Sequence, residues 1–253
     1  MVADRVYTET AQRARAALAG VQSAPGVAKP DPILLADNVR KNFGGVVAVD
    51  VDHVEVQRGS ITALIGPNGA GKTTLFNLLT GFDTPDAGEW RFDGRSLAKV
   101  VAHKTASMGM VRTFQLTKSL TKMSVIENMK LGATHQVGER WWNGLLPFRW
   151  KAQEKLIEQR ADQLLQRFKL DHMRNEYAGT LSGGQRKLLE MSRALMTNPR
   201  LVMLDEPMAG VNPALKQSLN EHIRGLRDDG MTVLFVEHDM DMVHDVSDWV
   251  IVM

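Results

Sequence analysis

The stretch Gly66-Pro-Asn-Gly-Ala-Gly-Lys-Thr73 puts a lysine and a hydroxyl directly behind a glycine-rich loop. The apolar run Ile61–Ile65 precedes it, and a helical pattern ending at Gly81 follows. A strand, a loop of this spacing and a helix are the setting in which backbone N–H groups curl around phosphate oxygens. Gly66, Gly69 and Gly71 permit the close approach, and the helix start adds a dipole that favours an anion. Lys72 offers a point charge to a β- or γ-phosphate, and the Thr73 hydroxyl can ligate Mg²⁺. With Asn68 and Thr74, these residues form the candidate phosphate-binding set.

Two further stretches supply groups that could act on a bound phosphate. "LVMLDEP" ends an apolar run in two carboxylates, Asp205 and Glu206. A carboxylate at the C-terminal end of a buried strand sits where open α/β sheets bind ligands. Asp205 suits Mg²⁺ and Glu206 suits an attacking water. The competing reading of Asp205 is a strand-end carboxylate that caps the next turn. "LFVEHDM" repeats the arrangement and puts His238 directly after a buried strand, whereas His53, His135 and His172 read as surface residues. "TLSGGQRKLLEM", from Thr180 to Met191, offers a second cradle at a helix start: the Ser182 hydroxyl and the N–H groups of Gly183 and Gly184. No lysine directly follows its glycines, as Lys72 follows Gly71.

The elements that must position these groups are legible in outline. Val54 and Val56 alternate with polar neighbours, as do Trp90 and Phe92, and Asp93-Gly94 signals a hairpin. From about residue 116 to 178 the pattern is helical, with Ile157, Ala161, Leu164, Leu165 and Phe168 on one face. "LVMLD", "MTVLFV" and "DWVIVM" read as strands buried on both faces. Between the first two, Asn212-Pro213 caps a helix whose buried stripe is Leu215, Leu219, Ile223 and Leu226. Alternating buried strands and helices predict a parallel sheet. Residues 1–32 contain a short helical stretch and then "SAPGVAKPDP"; they read as a mobile tail.

Composition limits the functions available. A chain of 253 residues with 43% hydrophobic and 24% charged residues can bury a sizeable core. A net charge of +2 gives no strong field for nucleic acid, and direct nucleic-acid binding is not expected. Without cysteine there is no disulfide or thiol chemistry. No stretch approaches the apolar length of a membrane span, so any membrane role is expected to run through a partner.

In this chain order, the phosphate loop, "LSGGQ", "LVMLDEP" and "VEHD" resemble the ATP-binding cassette (ABC) ATPases, over about residues 33–253. The resemblance implies an α/β P-loop NTPase fold: a mainly parallel core sheet, an antiparallel β-subdomain and a helical subdomain at about residues 116–180. It implies ATP and Mg²⁺ as cofactors. It also implies head-to-tail dimers, in which Ser182, Gly183, Gly184 and Gln185 of one chain face the nucleotide on the partner's phosphate loop. The second cradle then needs no lysine, because the partner's loop supplies one. Gln115 in "TFQL" resembles the glutamine that senses Mg²⁺ and water and links to the transport partner. His238 resembles the switch on the γ-phosphate, and Phe43 the aromatic that stacks on adenine; the alternative for Phe43 is a core strand residue. Asn212 stands where the family usually has Asp, which puts the usual contacts across the dimer in doubt.

Ser182 follows Lys72 by 110 residues, too few for the long coiled coils of chromosome-maintenance ATPases. "FGGVVAVD", "VRTFQ", "MSVIENM", "EPMAGVNP", "VEHDMDMV" and an insertion at residues 134–151 resemble the ATP-binding subunits of branched-chain amino-acid importers. That resemblance implies transmembrane permease subunits, indirectly a substrate-binding protein, and a peripheral place on the cytoplasmic face of the membrane. Cassettes for urea or lipopolysaccharide export remain open, as does a non-transport mechanical ATPase. Trp141, Trp142, Phe148 and Trp150 are either core residues or an exposed patch for the membrane partner. Family members continue beyond the apolar run that ends at Met253, so further residues are expected there.

Overall fold

The computed structural model describes residues 2–98, 100–113, 120–134 and 147–253. The chain divides into two compact units. One comprises residues 1–115, 200–209 and 216–253; the other comprises 116–199 and 210–215.

The first unit begins with helix α1 (Val2–Ala19), which is followed by strands β1 (Pro32–Phe43), β2 (Val46–Gln57) and β3 (Ile61–Ile65). Helix α2 (Lys72–Leu79) comes next, followed by β4 (Ala87–Phe92), β5 (Arg95–Ser96), helix α3 (Ala102–Ser107) and β6 (Met110–Arg112). The antiparallel strands form a sheet of order β2-β1-β4-β5. Its Asp93-Gly94 turn has φ of 50° and 72°, the left-handed pair that a two-residue hairpin demands. Three later strands complete a second, parallel sheet: β7 (Leu201–Asp205), β8 (Thr232–Val236) and β9 (Trp249–Val252). Its order is β6-β7-β8-β3-β9. A core that includes Leu34, Phe92, Leu64, Phe76, Met203 and Leu234 draws on both sheets and α2. Each such side chain removed from water contributes roughly 1.5–3 kcal/mol.

The expectations for two segments need correction. Residues 2–19 are not a loose tail. They form α1, in which Ala11, Ala14 and Leu18 are buried, and Arg15 pairs with Asp228 at 3.1 Å. Nor is "DWVIVM" buried on both faces: β9 is an edge strand, with Val250 40% and Val252 72% exposed. An apolar run does not distinguish an edge strand from a central one.

The second unit is helical, as expected, but it runs past residue 180. Among the described residues it includes the α-helices α4 (Val125–Lys130), α5 (Pro147–Arg167) and α6 (Gly183–Leu195). Ala161, Leu164 and Leu165 on α5 and Phe168 directly after it are buried, as are Met129, Leu189 and Met191. The fully buried Asn128 donates to the carbonyls of Leu120, Met123 and Ser124 and accepts from Leu120 N–H, so its amide closes the turn before α4. Helix α7 (Pro213–Asp228) starts in this unit and continues in the first, and helix α8 (Met240–Val246) lies in the first. Asn212 caps α7 as predicted, accepting from Leu215 N–H at 2.9 Å. Leu219, Ile223 and Leu226 form its buried stripe. Among the described residues no helix is long and apolar enough to cross a membrane.

Candidate nucleotide site

Register brings the candidate residues to one edge of the parallel sheet. Leu64 on β3 lies opposite Val236 on β8, which lies opposite Asp205 on β7. The loops that leave this row carry Gly66 to Lys72, Glu206, and Glu237 with His238.

The phosphate loop has the backbone its glycines were expected to provide. Gly69 and Gly71 have φ of 85° and 86°, in the left-handed region. A Cβ on Gly71 would come within 2.0 Å of the Ala48 carbonyl oxygen. Gly71 caps α2 without a side-chain bond, so the first N–H groups of the helix are left for a ligand. Lys72 is buried and folds back to donate to the carbonyls of Gly66 and Pro67, both at 2.8 Å. Asn68 and Thr73 are exposed, and Thr74 is partly buried.

Asp205 is almost fully buried at the end of β7. Its Oδ2 accepts from Arg112 at 2.6 Å, and the same guanidinium donates to Asn77 Oδ1 at 2.6 Å. Its Oδ1 is buried with no hydrogen-bond partner. A buried carboxylate oxygen in that state is costly unless a cation or donor meets it. The donor set of Asp205 and Thr73 is hard oxygen, which suits Mg²⁺. Glu206 has φ of 47° and its Oε1 lies 3.2 Å from His238 Nε2. Its N–H donates to the Val236 carbonyl at 3.0 Å. Phe43 is 51% exposed, with Lys41 Nζ 5.1 Å from its ring centroid. It is therefore not a core residue.

In the second unit, Ser182 caps α6 in a reciprocal arrangement. Its hydroxyl oxygen accepts from Gln185 N–H at 3.3 Å, and its own N–H donates to Gln185 Oε1 at 2.9 Å. The Gln185 amide oxygen is thus occupied in the cap, and Ser182 and Gly183 are exposed. Gln115, Trp141 and Trp142 lie outside the described residues, as do the side chains of Phe148 and Trp150. His53 is not simply a surface residue: it is half-buried between Asp37, at 2.5 Å, and Glu55, at 3.3 Å.

The sequence reading missed three residues. Arg112 holds Asp205 and also donates to Asn77, and the buried Glu237 accepts from main-chain N–H groups of the loops after β7 and β8. Arg112 stands three residues before Gln115 in "VRTFQ", but only the pairing of β6 with β7 shows what it touches.

Residues 49–209 match the family profile described as ABC transporter. The chain belongs to the ABC transporter ATPase family. It is 41% identical over 221 residues to a probable branched-chain amino acid transport ATP-binding protein LivG of Archaeoglobus fulgidus, covering 87% of this chain and 85% of that one. It is 39% identical over 223 residues to the high-affinity branched-chain amino acid transport ATP-binding protein BraF of Pseudomonas aeruginosa, covering 87% and 88%. A crystal structure of a nucleotide-free ATP-binding cassette from an ABC transporter superposes with a TM-score of 0.76 at 39% identity, covering 88% of this chain and 87% of that one. Another cassette, in its ADP conformation, gives 0.75 at 38% identity, with the same coverage. The chain is thus an ABC-type ATPase that binds nucleotide and couples its hydrolysis to transport.

Proposed function

We propose that this chain is the ATPase subunit of an importer for branched-chain or other hydrophobic amino acids, working as one half of a head-to-tail pair. The observation that carries the catalytic reading is the shared sheet edge, where the phosphate loop, Asp205, Glu206 and His238 converge. The names of the relatives carry the cargo.

Each residue has a task in this reading. The open N–H groups of α2 and Lys72 hold the β- and γ-phosphates, with Gly66, Asn68, Gly69, Gly71 and Thr74 shaping the loop. Phe43 stacks on adenine. Thr73, Asp205 and Gln115 are the residues that would hold Mg²⁺. When bound, that ion neutralises phosphate charge. Arg112 occupies one Asp205 oxygen, and the other, which has no hydrogen-bond partner, is the one that would meet the ion. Glu206 orients water and accepts its proton, and His238 holds the Glu206 carboxylate from the other side. Ser182, Gly183, Gly184 and the cap closed by Gln185 meet the nucleotide on a partner chain. Hydrolysis releases the pair. The helical unit passes the motion to transmembrane subunits at the cytoplasmic face, which receive cargo from a substrate-binding protein.

Glu206→Gln tests the catalytic reading. The variant is expected to keep ATP affinity and lose turnover by about 10²-fold or more. With ATP and Mg²⁺ it should then elute as a dimer from a sizing column. Wild-type turnover would remove Glu206 from the mechanism. Leucine uptake by vesicles carrying the whole transporter tests the cargo, and uptake of urea instead would overturn it.

A further inference from the structure

Glu237 has no task in the scheme above, yet it is the group that joins the two loops on which the scheme depends. Its side chain is buried. Its Oε1 accepts from Met208 N–H at 2.7 Å, and its Oε2 accepts from His238 N–H at 3.0 Å and, more weakly, from Asp239 N–H at 3.4 Å. Met208 belongs to the turn after β7, two residues beyond Glu206; His238 belongs to the loop after β8. A buried carboxylate is retained only where hydrogen bonds or charges compensate its desolvation, and here main-chain amides of both loops do so.

The turn after β7 needs such support. Glu206 adopts the left-handed conformation without being glycine, which persists only when its surroundings over-determine it. Two bonds from the end of β8 do this. The Val236 carbonyl accepts Glu206 N–H at one end of the turn, and the Glu237 carboxylate accepts Met208 N–H at the other. The second oxygen of that carboxylate fixes the main chain from which the His238 ring projects. Glu206 Oε1 and His238 Nε2, 3.2 Å apart, thus project from two segments that the Glu237 carboxylate ties together.

We propose that Glu237 is a positioning residue for hydrolysis: it clamps the turn of Glu206 to the loop of His238 and holds their side chains in register. The proposal rests on the catalytic roles given to Glu206 and His238 above. It requires an effect on turnover and little effect on nucleotide affinity, because the phosphate loop hangs from β3 and shares none of these bonds. Misplacement of a reacting group by about 1 Å costs on the order of 10²-fold in rate.

The experiment compares wild type, Glu237→Ala, Glu237→Gln and Glu206→Gln as full chains. Turnover, affinity for a fluorescent ADP analogue and melting temperature are measured for each. Glu237→Ala is expected to lose about 10²-fold in kcat with affinity within about twofold of wild type. Glu237→Gln keeps one acceptor oxygen and should recover part of the loss. Wild-type turnover in Glu237→Gln and Glu237→Ala beside an inactive Glu206→Gln would overturn the clamp and leave the catalytic reading standing. A parallel fall of kcat, affinity and melting temperature would also overturn it, by showing a purely structural role. If Glu237→Ala does not fold, Glu237→Gln decides: reduced turnover at an unchanged melting temperature supports the clamp, and wild-type turnover refutes it. Wild-type turnover in Glu206→Gln would bring down the underlying reading, and the clamp with it.

Discussion

Arg112 and Asp205 are both almost fully removed from solvent, with side chains 5% and 2% exposed. Such a pair gains little over an apolar pair of the same volume, but breaking it leaves an uncompensated charge. Arg112→Met is therefore expected to destabilise the fold by about 3–5 kcal/mol, as read by urea unfolding. In Arg112→Met with Asp205→Leu neither charge of this pair remains, and most of that stability should return although the protein is inactive. A double variant no more stable than the single one would show that Arg112 acts through packing on Phe76, whose ring centroid lies 5.5 Å from its guanidinium, and not through charge. Residues such as Arg112 and Glu237 were not legible in the sequence because their partners stand far away along the chain. Arg112 meets a carboxylate 93 positions later. Lys72 was singled out because it ends a glycine-rich loop of recognisable spacing, and Glu206 and His238 because they follow apolar strands.

At the scale of elements, the β4–β5 turn does more than reverse the chain. Asp93 pairs with Arg58 at 2.8 Å and with Arg200, which leads into β7. The hydrogen bond from Arg58, and then those from Arg200, hold the Asp93 carboxyl below its ordinary range. A depressed carboxyl stabilises the fold above its unfolded pKa, near 4, and loses that contribution as pH falls through the folded value. Asp93→Asn should therefore cost about 1 kcal/mol at neutral pH and progressively less below about pH 4. Unfolding midpoints of both proteins across that range check it; a difference that does not shrink in acid would exclude the ion pairs as its cause. The same hairpin shows how far local signals reach, since Asp93-Gly94 specifies its own backbone. β9 and α1 show where such signals stop. The apolar run of β9 fits a central or an edge strand equally, and the burial of Ala11 and Ala14 on α1 depends on a surface built from later residues.

At the scale of the whole molecule, and on the proposed reading, each unit presents half of what a nucleotide requires. The sheet unit has Lys72, the carboxylates and His238; the helical unit has a capped helix start whose glycines are not followed directly by a lysine. The central claim is that each ATP is held by one chain's Lys72 loop and the other chain's Ser182 cap. A Lys72→Ala homodimer should be inactive because both phosphate loops are damaged. A Ser182→Arg homodimer should be inactive because an arginine occupies the place of each γ-phosphate. Mixing the two variants creates a dimer in which one site carries both defects and the other joins an intact loop to an intact cap. The direct measurement is ATP occupancy of that mixed dimer, isolated with a tag on each chain. The account requires one competent site per mixed dimer, and hydrolysis returning to at most one site's worth. Mixed dimers with no competent site would contradict it, because that result is expected if each chain reads the nucleotide with its own Ser182.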